Sequence, residues 1–446
     1  MILAPFMTQM DSTIVNVSLS SIKSDLHSST ASIQWVISAY LLALALMLPL
    51  NSWLVDRLGA KKLYVACFSA FTIASFLCGM ATTMPQLIAA RVVQGISGGL
   101  LAPLAQLMLA RIAGKQMARV VGYAAAPVLL APLFGPLLAG AILKYAGWPW
   151  LFYVNLPVGV VAVILALIII PHDDGMIQKR PFDLPGFLLL SPGVSCLLYG
   201  FERISHREGL AILLAGVILL LAFVWLAKRK QENALIDIGL FKIPIFATAT
   251  ITQFLSNGII YAGQFLVPYY LISGAGLEPA RAGWLLSAMG VGMLCVYPLM
   301  GNITDRFGCR PVAATGVLIN FLGTLPFLWM ARGELSIPLA MIGLFLRGMG
   351  QGATGIPSIA AAYASVPKEK LSLATTAVNI VQRLGGPLMT TGLAVVVSFS
   401  EGAQSTQTSH AFFIPFLTLI IFQFLVLASA IRLPMRIHAD AELART

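Results

Sequence analysis

The sequence predicts an all-α polytopic membrane protein: two six-helix bundles with two further helices inserted between them, fourteen transmembrane helices in all. Three observations carry this prediction. The composition is too poor in charge for a water-facing surface, apolar runs of bilayer length follow one another, and the first part of the chain is echoed in the last.

Of 446 residues, 58% are hydrophobic and only 10% are charged. A soluble domain carries roughly 25% charged residues because its surface faces water, so lipid is the expected solvent here. The formal net charge of +11 could suggest a nucleic-acid partner. No basic patch lies beside RNA-type aromatic motifs, however, so no nucleic acid is expected. Cys67, Cys78, Cys196, Cys295 and Cys309 show no metal-ligand spacing and read as free thiols acting as small hydrophobes. The stretch from Met1 does not read as a cleavable signal peptide, since it has no basic leader and contains Asp11 and Asn16.

A bilayer core takes about 20 apolar residues per helix. In chain order the spans fall at 2–22, 33–55, 63–82, 86–109, 120–142 and 149–171, then 184–202 and 209–227, then 245–271, 281–303, 312–331, 336–361, 373–398 and 411–431. Residues 1–171 would form the first bundle, 172–244 the inserted pair with its flanking cytoplasmic loops, and 245–446 the second bundle with a short tail. The connections are mostly short and hold the Gly, Pro and charged residues that end helices. Loops assigned to one side carry 19 Lys and Arg and those on the other carry 6. The positive-inside rule then places both termini in the cytoplasm, as an even number of spans also requires.

The repeat supports the two bundles. PLNSWLVDRLGAK at 49–61 and PLMGNITDRFGCR at 298–310 align at a constant offset of 249. Arg91 with Gln94 and Gly95 is echoed by Arg347 with Gln351 and Gly352, and Gly135-Pro136 by Gly386-Pro387. Two six-helix halves related by an axis along the membrane normal are a transporter architecture.

Polar residues inside the spans are the functional candidates. An acid at bilayer depth is costly, which makes Asp11 a candidate proton carrier or, alternatively, a structural acid bonded to backbone or a basic partner. Arg91 could tune a nearby carboxylate or snorkel to the headgroups, and Gln94 follows on its face. Arg347 and Arg383 in the second half read as gating or packing residues. Gln253, Asn257 and Gln264 share one face of the ninth span. They line a candidate substrate cavity with Asn16, Gln34, Tyr40, Gln94, Asn379 and Gln382. Glu202 reads as a solvated helix end or a second proton site.

The motifs resemble the major facilitator superfamily, and within it the fourteen-helix drug:proton antiporter family of EmrB/QacA type. MDSTIVNVSLS (10–20), QWVISAYLL (34–42), DRLGAKK (56–62), RVVQGISGG (91–99), APLFGPLLAG (131–140) and WPWLFYVNLPVG (148–159) carry the resemblance across essentially the whole chain. Ser52 departs from the usual Gly of the first loop motif, Ser20 from a Pro, Pro149 from an Arg and Ala139 from a Gly. The resemblance implies proton-coupled export of amphipathic or lipophilic compounds by alternating access, with Asp11 and Arg91 coupling the proton. It implies that Asp56, Arg57 and Gly59, with Asp305, Arg306 and Gly308, latch the halves together. It makes Pro132, Gly135 and Pro136 part of an exporter-type hinge. By analogy it also implies a bacterial inner-membrane location, with a membrane-fusion adaptor and an outer-membrane channel as partners. No cofactor or metal is expected. A solute importer on the same scaffold is the alternative, although the Gly/Pro-rich fifth span speaks against it. A membrane enzyme or sensor is more remote, since no His pair, metal spacing or P-loop is present.

Overall fold

The computed structural model describes residues 1–113, 116–171, 181–204, 207–230, 234–403 and 410–435. Among these, secondary structure is helical throughout. The chain begins with Leu3–Asp25 (α1), Thr30–Met47 (α2), Asn51–Leu58 (α3), Ala60–Gly79 (α4), Met84–Ala113 (α5), Met117–Tyr145 (α6), Pro149–Tyr153 (α7) and Asn155–Ile169 (α8). Leu184–Glu202 (α9) and Arg207–Lys230 (α10) form an antiparallel hairpin. The rest comprises Pro244–Tyr269 (α11), Pro279–Phe307 (α12), Cys309–Met330 (α13), Ile337–Ala364 (α14), Leu371–Ala403 (α15) and Phe413–Ala430 (α16).

Ten helical stretches are long and apolar enough to cross a membrane. Four more helices, α1, α6, α11 and α14, have 23, 29, 26 and 28 residues. At 1.5 Å per residue each of these is longer than a hydrocarbon core is thick.

Packing repeats as the sequence does. In the first bundle α5 lies along α2 and α4, and in the second α14 lies along α12 and α13. The close approach of α2 to α5 depends on Gly95 and Gly99: a Cβ at either would run into the carbonyl of Tyr40 or Leu44. Small residues four apart let helix backbones touch in lipid, where dispersion and not water exclusion holds helices together. α6 packs along α12 and α15 against α5, which joins the two bundles. The hairpin α9–α10 sits beside α2 and α15 and so touches both.

The two loop motifs turn on glycine. Gly59 has φ +84° and Gly308 φ +93°, a region that L side chains avoid. The basic residue two positions on then bonds a carbonyl at, or just beyond, the C-terminus of its bundle's last helix. Lys61 Nζ donates to Leu167 O at 2.9 Å, and Arg310 Nε donates to Leu433 O at 2.7 Å. A cation at a helix C-terminus opposes the negative end of the dipole.

Candidate functional site: a buried charge cluster and a central cavity

Asp11 projects from the middle of α1 into the first bundle, where four other helices meet it. Arg91 Nη1, from α5, donates to Asp11 Oδ2 at 2.6 Å. Gln94 Nε2, one turn on, and Asn155 Nδ2 of α8 donate to Oδ1 at 2.9 and 3.0 Å. Ser75 Oγ of α4 accepts from Gln94 Nε2 at 2.7 Å, and Cys78 Sγ donates to Gln94 Oε1 at 3.6 Å. Arg91 is held in turn: Nη1 donates to Gln94 Oε1 at 2.7 Å, and Nε to the carbonyl of Val36 at 3.1 Å. Its Cζ lies 4.1 Å from the centroid of the Tyr40 ring on α2. Asp11 and Arg91 are each 1% exposed. An ionised carboxylate only accepts hydrogen bonds, and three donors here suit that form. A proton on Asp11 would put an O–H among those donors and remove the counter-charge of Arg91.

The second bundle repeats the arginine, and among the described residues no acid pairs with it. Arg347 of α14 is also 1% exposed, and its Nη1 donates to Thr324 Oγ1 at 2.6 Å. Gln423 Nε2 donates to the same hydroxyl at 2.8 Å and to Asn320 Oδ1 at 2.8 Å. Arg383 is half-buried on α15, and its Nε has no hydrogen-bond partner.

A cavity of about 250 Å³ lies between the bundles. Its wall includes Gln106, Gln253, Asn257, Gln351, Tyr297 and Tyr363 amid apolar side chains, and no charged residue among those described lines it. Gln253 is fixed by Ser358 Oγ, which donates to its Oε1 at 2.9 Å, and its Nε2 donates to Gln382 Oε1 at 3.3 Å.

At the end carrying the glycine loops the bundles are bonded shut. Gln106 Oε1 of α5 accepts from Tyr363 Oη of α14 and from Asn379 Nδ2 of α15, both at 2.7 Å. Asn51 Nδ2 donates to Thr376 Oγ1 at 3.3 Å, and Ser372 Oγ to Asp56 Oδ1 at 3.1 Å. Arg119 and Asp305 approach to 3.9 Å. The segment after α10 adds to this closure. Ser52 Oγ, at the position where the loop motif usually has Gly, donates to Leu235 O at 3.4 Å. Asp183 accepts from Leu235 N and Lys230, while Lys370 of the second bundle pairs with Asp237 at 2.9 Å.

The residues anticipated from sequence separate accordingly. Asp11, Arg91, Gln94 and Tyr40 form one cluster, with Tyr40 beneath the guanidinium. Gln253 and Asn257 line the cavity, and Gln382 and Asn379 bond to residues that line it. Asn16, Gln34 and Gln264 are exposed and outside the cavity wall. Asp56 and Asp305 make contacts between the bundles, whereas Arg57 and Arg306 are exposed and lie over Trp53 and Phe307 of their own helices. Gly135 packs against Thr13, where a Cβ would collide. The side chains of Pro132, Pro136 and Glu202 lie outside the described residues. Asn155, Ser75, Gln106 and Tyr363 were not singled out from sequence. Gln106 carried a legible signal as the one amide in the apolar run LLAPLAQLML at 100–109.

Comparison with known proteins agrees with this architecture. A model described as Major Facilitator Superfamily matches residues 1–390. The chain is 33% identical over 407 residues to a "Multidrug resistance protein B homolog" of Mycobacterium tuberculosis, covering 89% of this chain and 75% of that protein. It is 30% identical over 447 residues to the "Putative multidrug resistance protein MdtD" of Salmonella typhi, covering 97% and 92%. Among solved structures it resembles the proton:xylose symporter XylE bound to 6-bromo-6-deoxy-D-glucose. There the TM-score is 0.64 and the identity 13%, over 95% of this chain and 93% of that one.

Proposed function

The chain belongs to the Major Facilitator Superfamily, and from that premise we propose a proton-coupled exporter of amphipathic or lipophilic compounds, working by alternating access. The observation that carries the proposal is the Asp11 cluster, a carboxylate buried mid-helix and bonded to an arginine of α5. The relatives named for multidrug resistance support export as the direction. The cavity supports the substrate class: an uncharged wall with a few amides and tyrosines suits compounds with a large apolar body and few polar groups.

Helix α5 links the proton to the gate. Arg91 and Gln94 contact Asp11 near one end of it, and Gln106 bonds the second bundle fifteen residues further on, about 22 Å along the axis. Protonation of Asp11 removes the counter-charge of Arg91, loosens α5 against α1 and α8, and shifts the balance at Gln106. Fourteen spans with the glycine loops in the cytoplasm make the present conformation outward-facing. The chain then sits in a bacterial inner membrane with both termini inside. A membrane-fusion adaptor with an outer-membrane channel would complete the route out of the cell.

The test is proton flux in acid-inside proteoliposomes carrying a pH-sensitive dye, challenged with lipophilic cations and neutral drugs. Drug-triggered proton efflux that disappears in Asp11→Asn supports antiport through this residue. Undiminished efflux in that variant moves the coupling site elsewhere. A substrate that accumulates with protons instead of against them favours the importer.

A further inference from the structure

We propose that the second bundle holds a binding site for a small monoanion, which supplies Arg347 with the counter-charge that Asp11 supplies to Arg91.

The comparison between bundles raises the need for one. Arg91 lies against the first helix of its bundle and meets a carboxylate there. Arg347 lies against α11, the first helix of its own bundle, and meets Gly263, where a Cβ would collide with Nη2. The guanidinium occupies the room an acidic side chain would need. Among the described residues, no carboxylate pairs with Arg347, its Nε has no hydrogen-bond partner, and the side chain is 1% exposed. A buried charge left without a partner is strongly destabilising.

A small cavity of about 10 Å³ in the same bundle is walled by Ser256, Asn320, Thr354, Gln351 and Gln423 among apolar residues. That is about the room one water-sized occupant needs. Arg347 is one hydroxyl away from the wall, since Thr324 Oγ1 accepts from both Arg347 Nη1 and Gln423 Nε2. Gln351 is 1% exposed, and neither its Nε2 nor its Oε1 has a partner. Asn320 uses its Oδ1 on Gln423, so its NH2 is the group left to offer. Donors from Gln351, Asn320 and Ser256, one hydroxyl removed from the guanidinium of Arg347, suit an anion. The rival occupant is a water, which would satisfy the unpartnered Oε1 atoms of Gln351 and Gln423 but leave the charge of Arg347 as it is. Entry is through the central cavity, whose wall also includes Ser256, Ile260 and Gln351. The occupant can be a free halide or the carboxylate end of a compound held in that cavity. This site does not depend on the proton-coupling reading.

The full-length protein in lipid nanodiscs tests it by thermal unfolding, titrated with sodium chloride or bromide against sodium gluconate at constant ionic strength. A saturable rise in Tm with halide and none with gluconate is expected, because a ligand bound only to the folded state stabilises it. Arg347→Gln should abolish the halide response. Gln351→Leu, which keeps the charge and carries the test should Arg347→Gln not fold, should weaken halide binding roughly tenfold through loss of a charge-assisted hydrogen bond. Equal Tm in halide and gluconate for the unaltered protein means the cavity holds water only and overturns the proposal. So does a halide response that survives unchanged in both variants. Benzoate and benzyl alcohol then separate the sources. Benzoate displacing halide, with benzyl alcohol inert, identifies a substrate carboxylate, and halide binding indifferent to both identifies the free ion.

Discussion

Replacing Asp11 by Asn keeps the shape of the side chain and removes its charge, and the consequences can be worked out contact by contact. The carboxylate accepts from Arg91 on one oxygen and from Gln94 and Asn155 on the other. An amide has one oxygen and one NH2. Whichever way it turns, its NH2 faces either the guanidinium or two amide donors, so one side of the site becomes donor against donor. Arg91 keeps its bonds to Val36 O and Gln94 Oε1 and its place over Tyr40, but its charge is left uncompensated at 1% exposure. Breaking a buried pair by removing one partner costs about 3–5 kcal/mol. Removing both charges leaves none uncompensated, so Asp11→Asn with Arg91→Gln should lose much less than the two single losses added together. The expected coupling lies towards the upper part of the roughly 0.5–3 kcal/mol range for residues in contact. Unfolding of the four proteins in nanodiscs, followed by tryptophan fluorescence, closes the cycle. Additive losses, each under about 1 kcal/mol, would show that the pair contributes no more than an exposed one and would refute the reading of the cluster as a tightly coupled buried pair.

Other perturbations test the remaining parts. Gln106→Leu strips Tyr363 and Asn379 of their shared acceptor, which at about 1–3 kcal/mol per buried unsatisfied group should favour opening at that end. Faster hydrogen exchange at the end of α14 and the start of α15 is the expected readout, and unchanged exchange counts against Gln106 as a gate. Asp237→Asn removes the pair with Lys370. Because Lys370 is about a third exposed, only roughly 1 kcal/mol is expected, seen as a modest shift of the same exchange towards the open state. Gly95→Leu drives a side chain into the carbonyl of Tyr40. It should separate α2 from α5 and abolish transport, whereas transport at the normal rate would mean that this approach is not needed. Asn155→Ala removes one donor from Asp11 and should cost about 1.5–3 kcal/mol, the range for hydrogen bonds to charged groups, measured as a lowered Tm.

What the sequence disclosed followed the periodicity of its physics. Long apolar runs, and the loops that punctuate them, are local properties, so the helices and the repeat could be read directly. Asp11, Arg91 and Gln94 were legible because a charge in an apolar run is conspicuous wherever it points. Asn155 and Ser75 complete the same cluster from α8 and α4, and nothing local marks one buried amide as the partner of an acid 144 residues away, or one hydroxyl as the acceptor for Gln94. The face argument on α11 worked for Gln253 and Asn257 but failed to carry Gln264 into the cavity. A shared helix face extends the full length of the helix, whereas the cavity occupies only part of that length.

The most consequential feature is where the repeat breaks. Glycine loops, basic residues that follow them and reach the C-terminal side of the last helices, and an arginine on α5 and α14 recur in both bundles, and these set packing and closure. Symmetric parts suit the alternating access proposed above, but they cannot by themselves select an ion. That choice falls to the difference between Asp11 on α1 and Gly263 on α11. One arginine carries its partner as a covalent part of the chain, the carboxylate proposed above to take the proton. The other must take its partner from outside, through the cavity where substrate is expected to bind. The two charge sites are thus joined to different solutes through equivalent helices. Neutralising one while sparing the other, with Asp11→Asn set against Gln351→Leu, should separate proton coupling from anion dependence in a single flux assay. A chloride response lost in Asp11→Asn, or proton coupling lost in Gln351→Leu with folding intact, would show instead that the two bundles share one site.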